Sequence, residues 1–153
     1  MKIAVFPGSF DPITTGHVDL ILRSLPLFDK IVVAIGVNSA KKTLFSLETR
    51  LAWLEEVFKD ESKIEVGHFE GLTVEYCKSI SANYLIRGLR NASDFDYEKT
   101  ISQLNSVIGD GSETFFLIAK PGYSHVSSTI VREIIKAGGD ASAFVPKEVI
   151  ING

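Results

Sequence analysis

The sequence predicts an α/β fold, a doubly wound five-stranded parallel sheet forming a single domain over residues 1–153. Three observations predict it. Five short apolar, β-branched runs recur along the chain, at Ile3–Phe6, Ile31–Val37, Ile64–Phe69, Tyr84–Ile86 and Phe115–Ala119. Each reads as a continuous apolar segment, the pattern of strands covered on both faces. Helical patterns separate the runs, and that alternation builds a parallel sheet with right-handed crossovers. A chain of 153 residues is one domain's worth, able to bury roughly two-thirds of its unfolded surface.

In order, the first run feeds Pro7-Gly8-Ser9-Phe10-Asp11-Pro12-Ile13-Thr14-Thr15-Gly16-His17, a turn rich in small residues. A helix is expected to begin near His17 and to stop around Pro26, which cannot continue it. Ser46 is a plausible N-cap, with Glu48 in the first turn of a helix through Leu51, Leu54 and Phe58. A weaker helix covers Val74–Ile80, and a longer one follows Ser93-Asp94 through Tyr97, Ile101, Leu104 and Ile108. The last, Thr129–Lys136, ends at Gly138-Gly139, and the tail from Phe144 is expected to form one short closing helix.

Composition narrows the function. Hydrophobic content of 45% and charged content of 23% are ordinary globular values. A net charge of −3 argues against a nucleic-acid or membrane binder working by bulk electrostatics. An anionic ligand must then be held by a few placed cations. The single cysteine, Cys77, excludes an internal disulfide and is expected to be buried and inert, which suits a reducing cytoplasm. No signal-peptide pattern is expected at the start, and the run Ile31–Ile35 is too short to span a bilayer. No histidine spacing resembles a metal cage, and no dedicated protein metal site is expected.

Ligands of doubly wound sheets sit at the carboxyl ends of the strands, so the loops there hold the candidate chemistry. The first loop has neither G-x-G-x-x-G nor a P-loop. A strand, a small-residue turn and a helix start can still present backbone N–H groups to an anion. In this reading Gly8 lets the backbone approach a phosphate, and His17 projects an imidazole N–H beside it. The second loop carries Lys41-Lys42, one of which can turn inward; the third, Glu70-Gly71-Leu72-Thr73, is bland. Arg87-Gly88-Leu89-Arg90 offers two forked, permanently charged groups. Ser127, Ser128 and Thr129 offer more hydroxyls than one helix cap needs. On residue chemistry alone, His68 and His125 are left unassigned.

The element Thr14-Thr15-Gly16-His17 resembles the (H/T)-x-G-H signature of the nucleotidylyltransferase superfamily. Gly8–Pro12, Lys41-Lys42, Arg87–Arg90 with Asp94-Phe95-Asp96-Tyr97-Glu98, and Val126–Thr129 through Arg132 follow in order. Together they resemble the bacterial phosphopantetheine adenylyltransferases over essentially the whole chain, the arginine loop with its D-F-x-Y-E extension being the most specific part. The resemblance implies a Rossmann-like fold and transfer of the adenylyl group of ATP to 4′-phosphopantetheine, with Mg²⁺, giving dephospho-coenzyme A and pyrophosphate. It further implies a cytoplasmic homohexamer with no nucleic-acid or membrane partner.

By the same resemblance His17 is the catalytic residue. Ser9, Phe10, His17, Gly88, Leu89, Arg90, Glu98 and Tyr123, Ser124, His125, Val126, Ser127, Ser128 and Thr129 are implied to bind ATP. Ser9, Lys41, Thr73 and Arg87 are implied to bind the acceptor. Two positions depart from the family's pattern: Thr43 replaces a usual proline, which would loosen the lysine loop, and Thr73 stands where an apolar residue is frequent. The acceptor is a phosphomonoester with a second pKa of about 6, mostly a dianion at neutral pH. No general base is therefore needed, and counter-charge is expected from Lys41, Arg87, Arg90, His17 and a metal held by phosphates and water. Another small cytidylyl- or nicotinamide-mononucleotide adenylyl-transferase is the nearest alternative, and a non-catalytic ATP sensor on the same fold is the alternative from another class.

Overall fold

A computed structural model of the chain describes residues 1–151. Five strands, β1 (Ile3–Gly8), β2 (Lys30–Val37), β3 (Ile64–Glu70), β4 (Tyr84–Leu89) and β5 (Glu113–Ile118), form one sheet in the order β3-β2-β1-β4-β5. Every neighbouring pair is parallel. The helices are α1 (Thr15–Ser24), α2 (Leu47–Val57), α3 (Thr73–Ser79), α4 (Ala92–Ile108) and α5 (Ser128–Lys136). The predicted five-stranded Rossmann-like architecture is present.

The pleat of the sheet sorts the core into two layers. Ala4, Phe6, Ile31, Val33, Ile35 and Ile86 point to one face and pack with Leu20 and Ile21 of α1, Leu54 of α2 and Val131 of α5. Val5, Val32, Ala34 and Leu85 point to the other and meet Val74 and Cys77 of α3. Only the three central strands read as continuous apolar runs in burial. The edge strands β3 and β5 alternate, leaving Phe115 and Ile118 exposed, which corrects the expectation that all five are covered on both faces. An edge strand has one neighbour in the sheet and less helix above it, so half its side chains meet solvent.

Local chemistry explains the helix boundaries. Ser46, Asn91 and Ser127 each accept a backbone N–H three residues on, the N-cap bond that begins α2, α4 and α5. α1 stops into a 3₁₀ turn, Leu25–Leu27, around Pro26. α4 begins at Ala92, slightly before the expected start, because Asn91 and not Ser93 is the cap. Gly138, at φ +80, ends the α5 segment. The expected helix from Phe144 is absent among the described residues. A 3₁₀ turn at Ser142–Phe144 precedes it, and Val149 N–H closes a turn onto the Pro146 carbonyl.

The strands β1 and β4 pair only at Ala4 with Tyr84 and Val5 with Leu85. Beyond Val5 they part, opening a crevice at their carboxyl ends where the chain order reverses, the place such sheets bind ligands.

Candidate active site

The crevice holds two cavities that share Pro7, Gly8, Ser9, Arg87 and Glu98. One, about 310 Å³, is lined by the β1–α1 turn, Lys41, Arg90, Tyr123 and the start of α5. The other, about 340 Å³, runs beneath α4 past Thr73, Ile101 and Asn105.

His17 sits at the third position of α1, where a capping box usually places Glu or Gln. Thr14 N–H donates to its Nδ1 at 3.1 Å, and the Thr14 hydroxyl accepts His17 N–H at 3.3 Å. Because Nδ1 accepts a hydrogen bond, the neutral ring carries its proton on Nε2. The ring packs edge-on against Phe10, 5.1 Å between centroids. Burial, with the nearby charges of Arg87 and Arg90, lowers its pKa to about 4. At neutral pH His17 is therefore an uncharged donor, which corrects the expectation that it supplies counter-charge.

Both arginines are held by carboxylates of α4; Arg87, expected in the loop after the fourth strand, lies within β4, and Arg90 follows its end. Arg87 Nε and Nη2 fork onto Glu98 at 3.1 and 2.8 Å, and Nη1 donates to the Pro7 carbonyl at 2.7 Å. Arg90 reaches Asp94 through Nε at 3.2 Å, and its backbone N–H meets the same oxygen at 2.9 Å. These bonds draw the Asp94 carboxyl below its ordinary range against an opposing effect of partial burial. Aimed guanidinium groups are the result, which a bare surface pair would not provide.

The glycines act by packing. A Cβ on Gly8 would lie 3.1 Å from the ring of Phe10, and one on Gly88 would collide with Leu20 Cδ1. Gly8 thus leaves room for Phe10, which turns the chain at φ 45, and Gly8 itself lines both cavities.

The hydroxyl cluster at α5 is less free than its sequence suggests. Ser127 Oγ accepts Ile130 N–H, Ser128 Oγ donates to the Pro12 carbonyl at 2.8 Å, and Thr129 Oγ1 accepts from Arg132 at 3.2 Å. Ser127 and Thr129 act as acceptors and keep their own hydrogens available.

Of the residues expected at the site, Ser9, Phe10, His17, Lys41, Arg87, Gly88, Arg90, Glu98, Tyr123, Val126, Ser127, Ser128 and Thr129 line the first cavity. Thr73 lines the second. Leu89, Ser124 and His125 line neither: Leu89 is buried, Ser124 bonds the Pro121 carbonyl, and the His125 ring stands edge-on to Phe144. Three supporting residues had no assigned role in the sequence reading. Asp11, buried, accepts Leu44 N–H and Phe45 N–H at 2.8 and 2.9 Å. Arg50, also buried, donates to the Ser9 carbonyl at 2.7 Å, and Arg132 donates to the Asp11 carbonyl at 2.9 Å. Such bonds join distant segments through main-chain atoms and leave no local pattern; the visible signals are Asp11 within the first motif and Arg132 at the end of the last. The Thr43 hydroxyl donates to the Phe45 carbonyl at 2.8 Å, beside the Asp11 anchors.

The fold, the switch-point crevice and the T-x-G-H element define the nucleotidylyltransferase class, and the cytidylyltransferase-like family model matches residues 5–134. A solved structure of a candidate nicotinate-nucleotide adenylyltransferase from Vibrio parahaemolyticus superposes with a TM-score of 0.65 at 20% identity, over 97% of this chain and 96% of that one. That likeness speaks to the fold alone. Phosphopantetheine adenylyltransferase from Christiangramia forsetii is 52% identical over 97% of this chain and 98% of its own. Those from Flavobacterium psychrophilum and Caldanaerobacter subterraneus subsp. tengcongensis are 50% and 47% identical, over 97% and 95% of this chain and 98% and 91% of theirs. The chain belongs to the phosphopantetheine adenylyltransferase family.

Proposed function

We infer that this chain transfers the adenylyl group of ATP to 4′-phosphopantetheine, releasing pyrophosphate and forming dephospho-coenzyme A. The observation that carries the reading is the pair of cavities meeting at Ser9, Arg87 and Glu98. One is lined by cations, hydroxyls and a helix start suited to a triphosphate. The other offers Thr73, Ile101, Ser102 and Asn105 along a channel suited to a long, partly apolar acceptor. Family membership supports the same pair of substrates.

In this mechanism the acceptor phosphate, a dianion at neutral pH, forms a P–O bond to the α-phosphorus of ATP. The bond to the β-phosphate oxygen breaks in line and pyrophosphate leaves. Arg87, on the shared wall, and Lys41, which reaches in from the first cavity, receive the acceptor phosphate, while Arg90 and the start of α5 receive the triphosphate. His17 Nε2–H donates to the transferring group as charge grows on it, a donor already in place and needing no reorganisation. Positioning and charge neutralisation carry the rate.

Mg²⁺ is proposed to arrive on ATP, held by phosphate oxygens and water. Among the described residues no group of three or more His, Cys, Asp or Glu is placed to hold a metal, and Asp94 and Glu98 are engaged by the arginines. A homohexamer is part of the proposal, supported by the exposed apolar residues Leu104, Val107 and Ile108 on α4 and Ile118 on β5; sedimentation of the pure protein tests it. A cytoplasmic location, with its ATP supply, completes the reading. No helix among the described residues is long and apolar enough to cross a membrane.

The deciding experiment is pyrophosphate release with ATP and 4′-phosphopantetheine, set against glycerol phosphate with CTP and nicotinamide mononucleotide with ATP. Release with the first pair alone is expected. Faster release with either other pair would replace the reading with the corresponding transferase, and ATP binding without release would make the chain a nucleotide sensor.

A further inference from the structure

We propose that Arg50 is a positioning residue that presents Lys41 to the acceptor by clamping the loop after β2 onto the loop after β1. The proposal rests on the functional reading above. Arg50 belongs to α2, yet the residue is buried, only 4% exposed, and its guanidinium reaches the β1–α1 turn. Nε donates to the carbonyls of Phe45 and Ser46 at 3.1 and 3.3 Å, and Nη1 to the carbonyl of Ser9 at 2.7 Å. The planar fork therefore ties residues 45–46 to a residue that lines both cavities.

Asp11 closes the same clamp from the other side, its two carboxylate oxygens taking the N–H groups of Leu44 and Phe45. Arg132 in turn holds the Asp11 carbonyl. Lys41 lies between this anchor and the end of β2, with its N–H on the Asn38 carbonyl at 3.0 Å. Both ends of a short, exposed loop are thus fixed, and the exposed lysine between them inherits a narrow range of positions. A burial role alone would be served by an apolar side chain of similar volume. An arginine bonded to three carbonyls serves to hold separate main-chain segments in register.

The chain's single tryptophan gives a direct readout. Trp53 of α2 packs edge-on against Phe45, 4.8 Å between centroids, so its emission reports whether the clamped loop is seated. The experiment compares wild type, Arg50→Gln, Arg50→Lys and Asp11→Asn, with Arg50→Gln also placed in a Lys41→Ala background. Arg50→Gln should shift Trp53 emission and raise KM for 4′-phosphopantetheine about tenfold, with KM for ATP moving less than about twofold. Arg50→Lys should fall between. In the Lys41→Ala background the same change should add less than about twofold, because the two residues act through one contact.

If Arg50→Gln does not fold, Asp11→Asn carries the same expected signature. Unchanged emission, equal losses for both substrates, or losses that add fully to those of Lys41→Ala would overturn the positioning role. A wild-type protein that fails to turn over 4′-phosphopantetheine would instead remove the functional reading on which this role depends.

Discussion

Arg87 and Glu98 form a two-pronged ion pair, Nε to Oε2 at 3.1 Å and Nη2 to Oε1 at 2.8 Å, at the wall shared by the two cavities. Three of the five guanidinium N–H groups are thereby committed, counting the one on the Pro7 carbonyl. The guanidinium plane is thus fixed at a residue that lines both cavities. Glu98→Gln should loosen that plane and raise KM for the acceptor by a few-fold, on the order of 1 kcal/mol, with KM for ATP less affected. Steady-state kinetics with each substrate varied will check this. A larger rise for ATP would show that Glu98 acts on the nucleotide directly.

His17→Ala should lower kcat by a factor on the order of 10²–10³, the usual loss for one preorganised donor. ATP affinity, measured by calorimetry, should change far less, since the donor matters most as charge builds. Normal turnover with weakened ATP binding would mark an ordinary ground-state contact.

The pH profile separates enzyme from substrate. With a pKa of about 4, His17 stays neutral through the range in which the acceptor phosphate, second pKa about 6, loses its last proton. The acidic limb of kcat/KM should therefore sit near pH 6, persist in His17→Gln, and move down with an α-fluorinated phosphonate acceptor. Stability carries the matching sign. Above the unfolded value of 6.5 His17 contributes nothing. Between 6.5 and about 4 the unfolded chain binds a proton that the native site refuses, so stability falls as the pH falls. Thermal melts of wild type should lose more Tm across that window than melts of His17→Gln.

The two cation sets should separate by ligand. Arg87→Ala and Lys41→Ala should weaken binding of 4′-phosphopantetheine more than of ATP, and Arg90→Ala the reverse, by titration calorimetry. Equal losses in all three would show that the side assignment is wrong.

Gly88→Ala should destabilise the fold by ~1–3 kcal/mol, because the added methyl meets Leu20 of α1. Leu20→Val, which withdraws the colliding carbon, should cost less in the Gly88→Ala background than alone. Additive losses in chemical denaturation would place the strain elsewhere.

The sequence shows this fold wherever chemistry is local. Ser46 caps α2 as its type and position suggest, and the stop of α1 around Pro26 is written in one residue. The central strands announce themselves as β-branched runs. What stayed hidden depends on distance along the chain. Arg50 looks like any charged residue of an amphipathic helix, and nothing nearby marks its bond to Ser9, 41 positions away. Likewise Ser127 to Thr129 read as a donor cluster, whereas part of their capacity is absorbed by Pro12 and Arg132. Ser124 and His125 fall within the expected nucleotide loop by position, yet only their neighbours Tyr123 and Val126 line the cavity, while Ser124 bonds the Pro121 carbonyl and His125 packs against Phe144.

The wall common to both cavities passes through Pro7, Gly8 and Ser9, where β1 has left β4, beside the Arg87–Glu98 pair. A bisubstrate inhibitor reading the backbone groups of those three residues from both sides would rely on atoms that point mutation does not delete. At Gly8 a larger residue would press on Phe10, so escape there would damage the enzyme's own turn. Side chains that line only one cavity, such as Thr73 or Tyr123, are the positions to sequence first in a selection experiment.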